Sequence, residues 1–124
     1  PMMKTSLLTL IDAALNSKLK FISYKNKTGY CVTVVLSVEG YPNKYEKGIK
    51  IVGLNSLDQD LLFHGGTMID KDNQYVTSGG RVLNVIGFGE TLKKAISDAY
   101  RIINKINFKG MYYRTDIGKK GLEY

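Results

Sequence analysis

The chain has 124 residues, 44% of them hydrophobic and 23% charged, with a formal net charge of +7. That length builds one domain around one modest core, and the composition excludes a disordered tail. No stretch approaches the roughly 18 unbroken apolar residues of a membrane-spanning helix, because the longest apolar run, Cys31 to Val38, is interrupted by Thr33 and Ser37. The first residues lead into an amphipathic segment instead of a secretory h-region, and the single cysteine, Cys31, allows neither a disulfide framework nor a thiolate metal cluster. The expected compartment is the cytoplasm.

Taken in order, Thr5 or Ser6 is placed to cap a helix whose apolar positions are Leu7, Leu8, Leu10, Ile11, Ala14, Leu15 and Leu19. Lys18 and Lys20 are expected near its C-terminal end, where they complement the helix dipole. Ser23 to Gly29 reads as an exposed loop, and Tyr30 to Val38, dense in β-branched residues, as a strand. Gly40-Tyr-Pro-Asn43 breaks that strand, since proline fixes φ and glycine tolerates positive φ. Short strands are expected at Ile49–Val52, closed by Gly53, and at Leu61–His64, ended by Gly65 and Gly66. Met68-Ile69, a turn at Asp70–Asn73, and Tyr75–Thr77 follow. Ser78-Gly79-Gly80 interrupts the last of these before Arg81 to Phe88 resumes it. Thr91 caps a second helix with the stripe Leu92, Ala95, Ile96, Ala99, Ile102, Ile103 and Ile106, a close fit to a 3.6-residue period. Phe108 to Arg114 reads as a final strand. The order helix, several short strands, helix, strand predicts an α+β domain around a mostly antiparallel sheet.

The catalytic inventory is thin. His64 is the one histidine, open to a structural or a ligand-contacting role, and no nucleophile elbow surrounds any serine or the cysteine. Asp70 and Asp72 lack the glycine and distal glutamate of a calcium loop, so a solvated turn is the reading there. The glycines are more informative. Gly65-Gly66-Thr67 and Ser78-Gly79-Gly80-Arg81 each put paired glycines between strand-like residues, where they mark a bulge or a close backbone approach. Exposed backbone amides beside a guanidinium form an anion-binding concavity, and Arg81 is suited to a bidentate grip on phosphate. The alternative is a pair of β-bulges with Arg81 in a surface ion pair. Only three of the eighteen basic residues are arginine. The lysine excess reads as a solvated surface, and the tyrosines among those lysines form no RNP-like motif, so no nucleic-acid partner is expected.

Four segments together carry a resemblance: Gly40-Tyr-Pro-Asn-Lys-Tyr-Glu-Lys-Gly48, Phe63-His-Gly-Gly-Thr67, Thr77-Ser-Gly-Gly-Arg-Val-Leu83 and Gly110-Met-Tyr-Tyr-Arg-Thr-Asp-Ile-Gly118. In this order the chain resembles the C-terminal part of the phosphoribosylamine–glycine ligases, the glycinamide ribonucleotide synthetases. The opening Pro1-Met-Met-Lys-Thr-Ser-Leu-Leu8 resembles the segment directly after that family's metal-binding Asn-x-Arg-x-Gly-Asp-Pro-Glu stretch. The resemblance implies an ATP-grasp ligase of purine (IMP) synthesis that joins glycine to 5-phosphoribosylamine; the alternative is a stand-alone phosphate-ligand-binding module of the same fold. ATP and magnesium (or manganese) would be held by residues upstream of this chain, which would hold no metal and be inert alone. It implies a small, mostly antiparallel β sandwich or open barrel with two amphipathic helices. Residues 1–20 would continue from the ATP-grasp core and 21–124 would form the terminal β-rich domain. It makes Arg81 a ligand of the substrate phosphate, assisted by the backbone amides of Gly79 and Gly80, with His64, Gly66 and Thr67 lining the same cleft. Arg114 and Asp116 would pair across the interface to the ATP-grasp core, in a structural role. Where the family usually has alanine, lysine and asparagine, this chain has Gly65, Met68 and Ser78, and the missing lysine leaves Arg81 with less electrostatic support. A chain built this way should expose an apolar patch, first of all on the helix Leu7–Leu19, where the rest of the polypeptide would pack.

Overall fold

The computed structural model describes residues 1–123. Its elements are α1 (Leu7–Leu15), β1 (Tyr30–Val38), β2 (Leu62–His64), β3 (Thr67–Ile69), β4 (Tyr75–Thr77), β5 (Arg81–Gly89), α2 (Leu92–Ile103) and β6 (Met111–Tyr112), with short 3₁₀ turns between them. Four strands form an antiparallel sheet in the order β2-β5-β1-β6, and β3 and β4 form a separate hairpin. The α+β class and the antiparallel pairing match the expectation from sequence. The sheet stays open and does not close into a barrel: β1 has only the two-residue β6 on its free side, and the hairpin stands apart from the main sheet.

The core lies between one face of this sheet and α2. Strand pleating sends alternate side chains to opposite faces, and Val32, Val34, Leu36 and Val38 of β1 are all buried, with Leu83 and Val85 of β5 beside them. Helix α2 lays Ala95, Ala99, Ile102 and Ile103 onto that face, each essentially inaccessible. Gly87 sits where the helix crosses closest; a Cβ there would run into the Ala95 carbonyl and the Ala99 amide. The side chain of Thr91 caps the helix as expected, accepting from the Lys94 amide at 3.2 Å.

Four sequence expectations need correction. Helix α1 ends at Leu15, because Ser17 adopts φ of 57° and the Lys18 amide turns back to the Ala13 carbonyl. Lys18 and Lys20 therefore lie beyond the helix end. Ser6 occupies the N-cap without a side-chain bond, while the Thr5 hydroxyl accepts from the Lys25 amide at 2.8 Å. Residues 49–52 are extended but form no strand, since they change partners within a few residues. Ile51 donates to the Tyr75 carbonyl, whereas Val52 exchanges two hydrogen bonds with Asn107. The tail strand shrinks to Met111–Tyr112, preceded by Gly110 in the left-handed region at φ of 69°.

Helix α1 differs from α2 in a basic way. At 100° per residue, Leu7, Leu8, Ile11 and Leu15 fall within about 100° of one another around the axis, and they are 61%, 75%, 49% and 81% exposed. The one buried residue, Ala13, is on the opposite side. Leu19 and Phe21 in the following turn extend the exposed apolar surface. Among the described residues no helix is long and apolar enough to cross a membrane.

Candidate functional site

On the sheet face opposite α2, a cavity of about 450 Å³ is lined by Val35, Tyr41, Gly65, Gly66, Gly79, Gly80, Arg81 and Asn84. The paired glycines build it. Gly66 is buried against the opposing loop, and a Cβ on it would lie 2.7 Å from the Gly79 Cα and 2.6 Å from the Arg81 carbonyl oxygen. The Gly66 carbonyl accepts from the Ser78 amide at 2.8 Å and the Gly79 amide at 3.1 Å, while the Gly65 and Gly66 amides both donate to the Val82 carbonyl. Only glycines permit two backbone segments to approach this closely.

A register shift then places Arg81. Leu36 pairs with Leu83, but the next residue of β1, Ser37, pairs with Arg81, so Val82 is an extra residue on β5. A one-residue slip transfers a side chain to the other face of a sheet. The bulge thereby brings Arg81 to the face that carries the cross-strand pair Val35 and Asn84. The two readings of the glycine pairs, bulge or anion site, are thus not exclusive, because the bulge is what aims the arginine.

The electrostatics distinguish Arg81 from the other two arginines. Arg101 is bound to Asp98 at 2.6 Å and Arg114 to Asp116 at 2.6 Å, whereas Arg81 has no carboxylate partner among the described residues. Its guanidinium lies 5.9 Å from the centre of the Tyr41 ring. The Gly80 amide also makes no hydrogen bond among the described residues, so one backbone donor and one guanidinium are free at the cavity. The Gly79 amide is not, being committed to Gly66.

Of the residues singled out from the sequence, Arg81, Gly79, Gly80 and Gly66 come together here. His64 and Thr67 do not line the cavity; they bond to each other, Nδ1 to Oγ1 at 2.8 Å, and the imidazole packs on Tyr75 with centroids 5.0 Å apart. Sequence reasoning missed Tyr41, Val35 and Asn84. The Gly40-Tyr-Pro turn was legible, as was the alternation that sets Val35 apart from Val34 and Leu36, but neither signal names a partner across the sheet.

The donor set suits an anion. Among the described residues no three His, Cys, Asp or Glu side chains come together to hold a metal ion. Cys31 is partly buried, which pushes its thiol pKa up and away from the reactive thiolate. Arg114 and Asp116 pair with each other, Nε to Oδ1 at 2.8 Å and Nη2 to Oδ2 at 2.6 Å, and this bidentate bond holds the Asp116 carboxyl down at about 2.

An open antiparallel sheet backed by one helix, with a glycine-built cavity beside an exposed arginine on its other face, defines a small α+β domain. Residues 31–120 match the family described as phosphoribosylglycinamide synthetase, C domain, and the chain belongs to that family. The phosphoribosylamine–glycine ligase of Caldanaerobacter subterraneus subsp. tengcongensis is 42% identical over 117 residues, which cover 94% of this chain and 28% of that protein. The trifunctional purine biosynthetic protein adenosine-3 of Gallus gallus is 40% identical over 129 residues, all of this chain and 13% of that protein. The crystal structure of the phosphoribosylamine–glycine ligase of Thermotoga maritima superposes with a TM-score of 0.68 at 36% identity, over 86% of this chain and 27% of that one. The chain spans less than a third of the length of the relatives it matches.

Proposed function

We propose that this chain is the C-terminal domain of a cytoplasmic phosphoribosylamine–glycine ligase of the ATP-grasp type, acting in purine biosynthesis, and that Arg81 binds the phosphate of 5-phosphoribosylamine. The observation that carries the site is a guanidinium without a carboxylate partner among the described residues, held over a glycine-built cavity in a chain of this family. Arg81 supplies a charge-assisted fork to the phosphate and the Gly80 amide a neutral donor beside it. His64 and Thr67, bonded to each other outside the cavity, are left for the parts of the substrate beyond the phosphate. In the whole enzyme the carboxylate of glycine is activated by the phosphoryl group of ATP, and the amine of phosphoribosylamine displaces phosphate to form the amide. The cavity's donors are basic and neutral, the wrong set for magnesium; in a ligase of this family ATP and metal would be held by residues outside this chain.

The rest of the same polypeptide is the partner of this domain. The outward leucine stripe of α1 fits residues 1–20 belonging with the ATP-grasp core and 21–124 forming the terminal domain. The test is kinetic. A full-length ligase ending in this chain should form ADP only with glycine and phosphoribosylamine present, and the 124-residue chain should form none. Arg81→Ala should raise KM for phosphoribosylamine about tenfold or more, the value of a lost charge-assisted hydrogen bond, with KM for glycine and ATP unchanged. An unchanged KM for phosphoribosylamine would overturn the phosphate assignment; a full-length protein without ligase activity would overturn the enzyme assignment.

A further inference from the structure

Tyr41 lies far from Arg81 in sequence yet lines the same cavity, and three observations tie it to the arginine. The guanidinium stands over the Tyr41 ring at 5.9 Å. Gly80, the residue before the arginine, lies under that ring: a Cβ on it would land among the Tyr41 ring carbons. The Tyr41 amide donates to the Val38 carbonyl at 3.2 Å, which holds the turn that carries the ring, and the Tyr45 ring meets it edge-on at 5.9 Å. An arginine with no carboxylate partner among the described residues has several rotatable bonds and would otherwise sample solvent. A π face beneath it favours one position without neutralising its charge. A carboxylate would hold it as well but would cancel its attraction for an anion.

We infer that Tyr41 is a positioning residue for the anion site: its ring, seated on Gly80, holds the Arg81 guanidinium over the cavity in its charged, ligand-ready state. The inference rests on the reading of Arg81 as an anion ligand. It also explains why a glycine stands at position 80. No left-handed conformation requires it, since Gly80 is not among the positive-φ glycines; the room is required for the ring.

The experiment is a titration of the 124-residue chain with ribose 5-phosphate, followed by NMR on the Arg81 side-chain Nε–H and the Gly80 amide, with thermal melts as the control for folding. Arg81→Ala should abolish the response. Tyr41→Phe should bind like the parent, because it keeps the π face, and Tyr41→Leu, which keeps apolar cover without that face, should bind about two- to fivefold more weakly at an unchanged melting temperature. Gly80→Ala should weaken binding similarly by displacing the ring, and should add little in a Tyr41→Ala background, since both changes remove one interaction. Loss of binding in Arg81→Ala together with full binding in Tyr41→Leu overturns the positioning role and leaves the anion site standing. Equal additional loss from Gly80→Ala in both backgrounds also overturns it. Undiminished binding in Arg81→Ala overturns the anion site itself, and the role of Tyr41 with it.

Discussion

The two helices of this chain both carry apolar positions at helical spacing, α2 in the cleaner stripe, and the two meet opposite fates in the structure. Helix α2 turns its stripe onto the sheet, where Ala95, Ala99 and Ile103 have no accessible surface at all. Helix α1 turns its leucines to solvent and buries only Ala13, on its far side. Amphipathicity tells that a helix has a partner; it does not tell whether the partner is in the same stretch of chain. For α2 the partner is β1 and β5. Among the described residues the stripe of α1 has no counterpart, in a chain that spans less than a third of its relatives' length.

The largest effects that test this contrast come from truncating a leucine on each side of it. Leu83 has no exposed surface and packs beneath α2. Leu83→Ala should cost about 2–5 kcal/mol in denaturant unfolding of the 124-residue chain, the range for a large buried aliphatic reduced to alanine. Leu8 and Leu15 are 75% and 81% exposed, so the double replacement Leu8→Ser, Leu15→Ser should leave that same unfolding free energy within about 0.5 kcal/mol. In a full-length ligase the double replacement should become destabilising, because the stripe is then covered. If the double variant destabilises the isolated chain as much as Leu83→Ala does, α1 has a partner within these residues and the contrast collapses.

What was legible in the sequence follows the same division between local and distant causes. The bounds of β1 fall where the β-branched run begins and ends, and the Thr91 cap is written in one residue and its neighbours. Ile49–Val52 reads as a strand because its own residues favour one, but a strand needs a continuous partner, and here the partner changes from Tyr75 to Asn107. The cavity beside Arg81 divides similarly. Its paired glycines and Arg81 announce themselves by composition, and the backbone approach they imply is present between Gly66 and Gly79. Tyr41 and Asn84 reach the cavity only through sheet register and one bulge, which no local pattern encodes.

Next in size are the two N-caps. The Thr91 hydroxyl accepts from the Lys94 amide, and Thr91→Ala should cost about 1 kcal/mol, since one amide of the first turn loses its acceptor. Ser6 holds the same position on α1 with no side-chain bond, so Ser6→Ala should change stability by no more than a few tenths. The cap matters where the helix is part of the cooperative core. Chemical denaturation of the two single variants against the parent checks both values, and equal losses would show that α1 is capped and coupled like α2.

The smallest effect lies at the edge of the molecule, where Arg114 and Asp116 form an exposed bidentate pair. Asp116 titrates at about 2 in the folded chain against an ordinary value of 3.8, first because of the hydrogen bonds from Arg114 and only then because of its charge. A carboxyl whose folded pKa is depressed contributes stability that is complete above about pH 4 and disappears as the pH falls through 2. Asp116→Asn should therefore flatten the acid limb slightly between pH 4 and 2 and leave neutral pH nearly unchanged, as expected of a surface ion pair screened by water. The direct check is the Asp116 carboxyl carbon in an NMR titration. A midpoint near 2 that rises only partly in molar salt fits a pair held mainly by geometry. A midpoint near 3.8 in low salt would mean that the two side chains do not hold each other in solution, leaving Arg114, like Arg81 among the described residues, without a carboxylate partner.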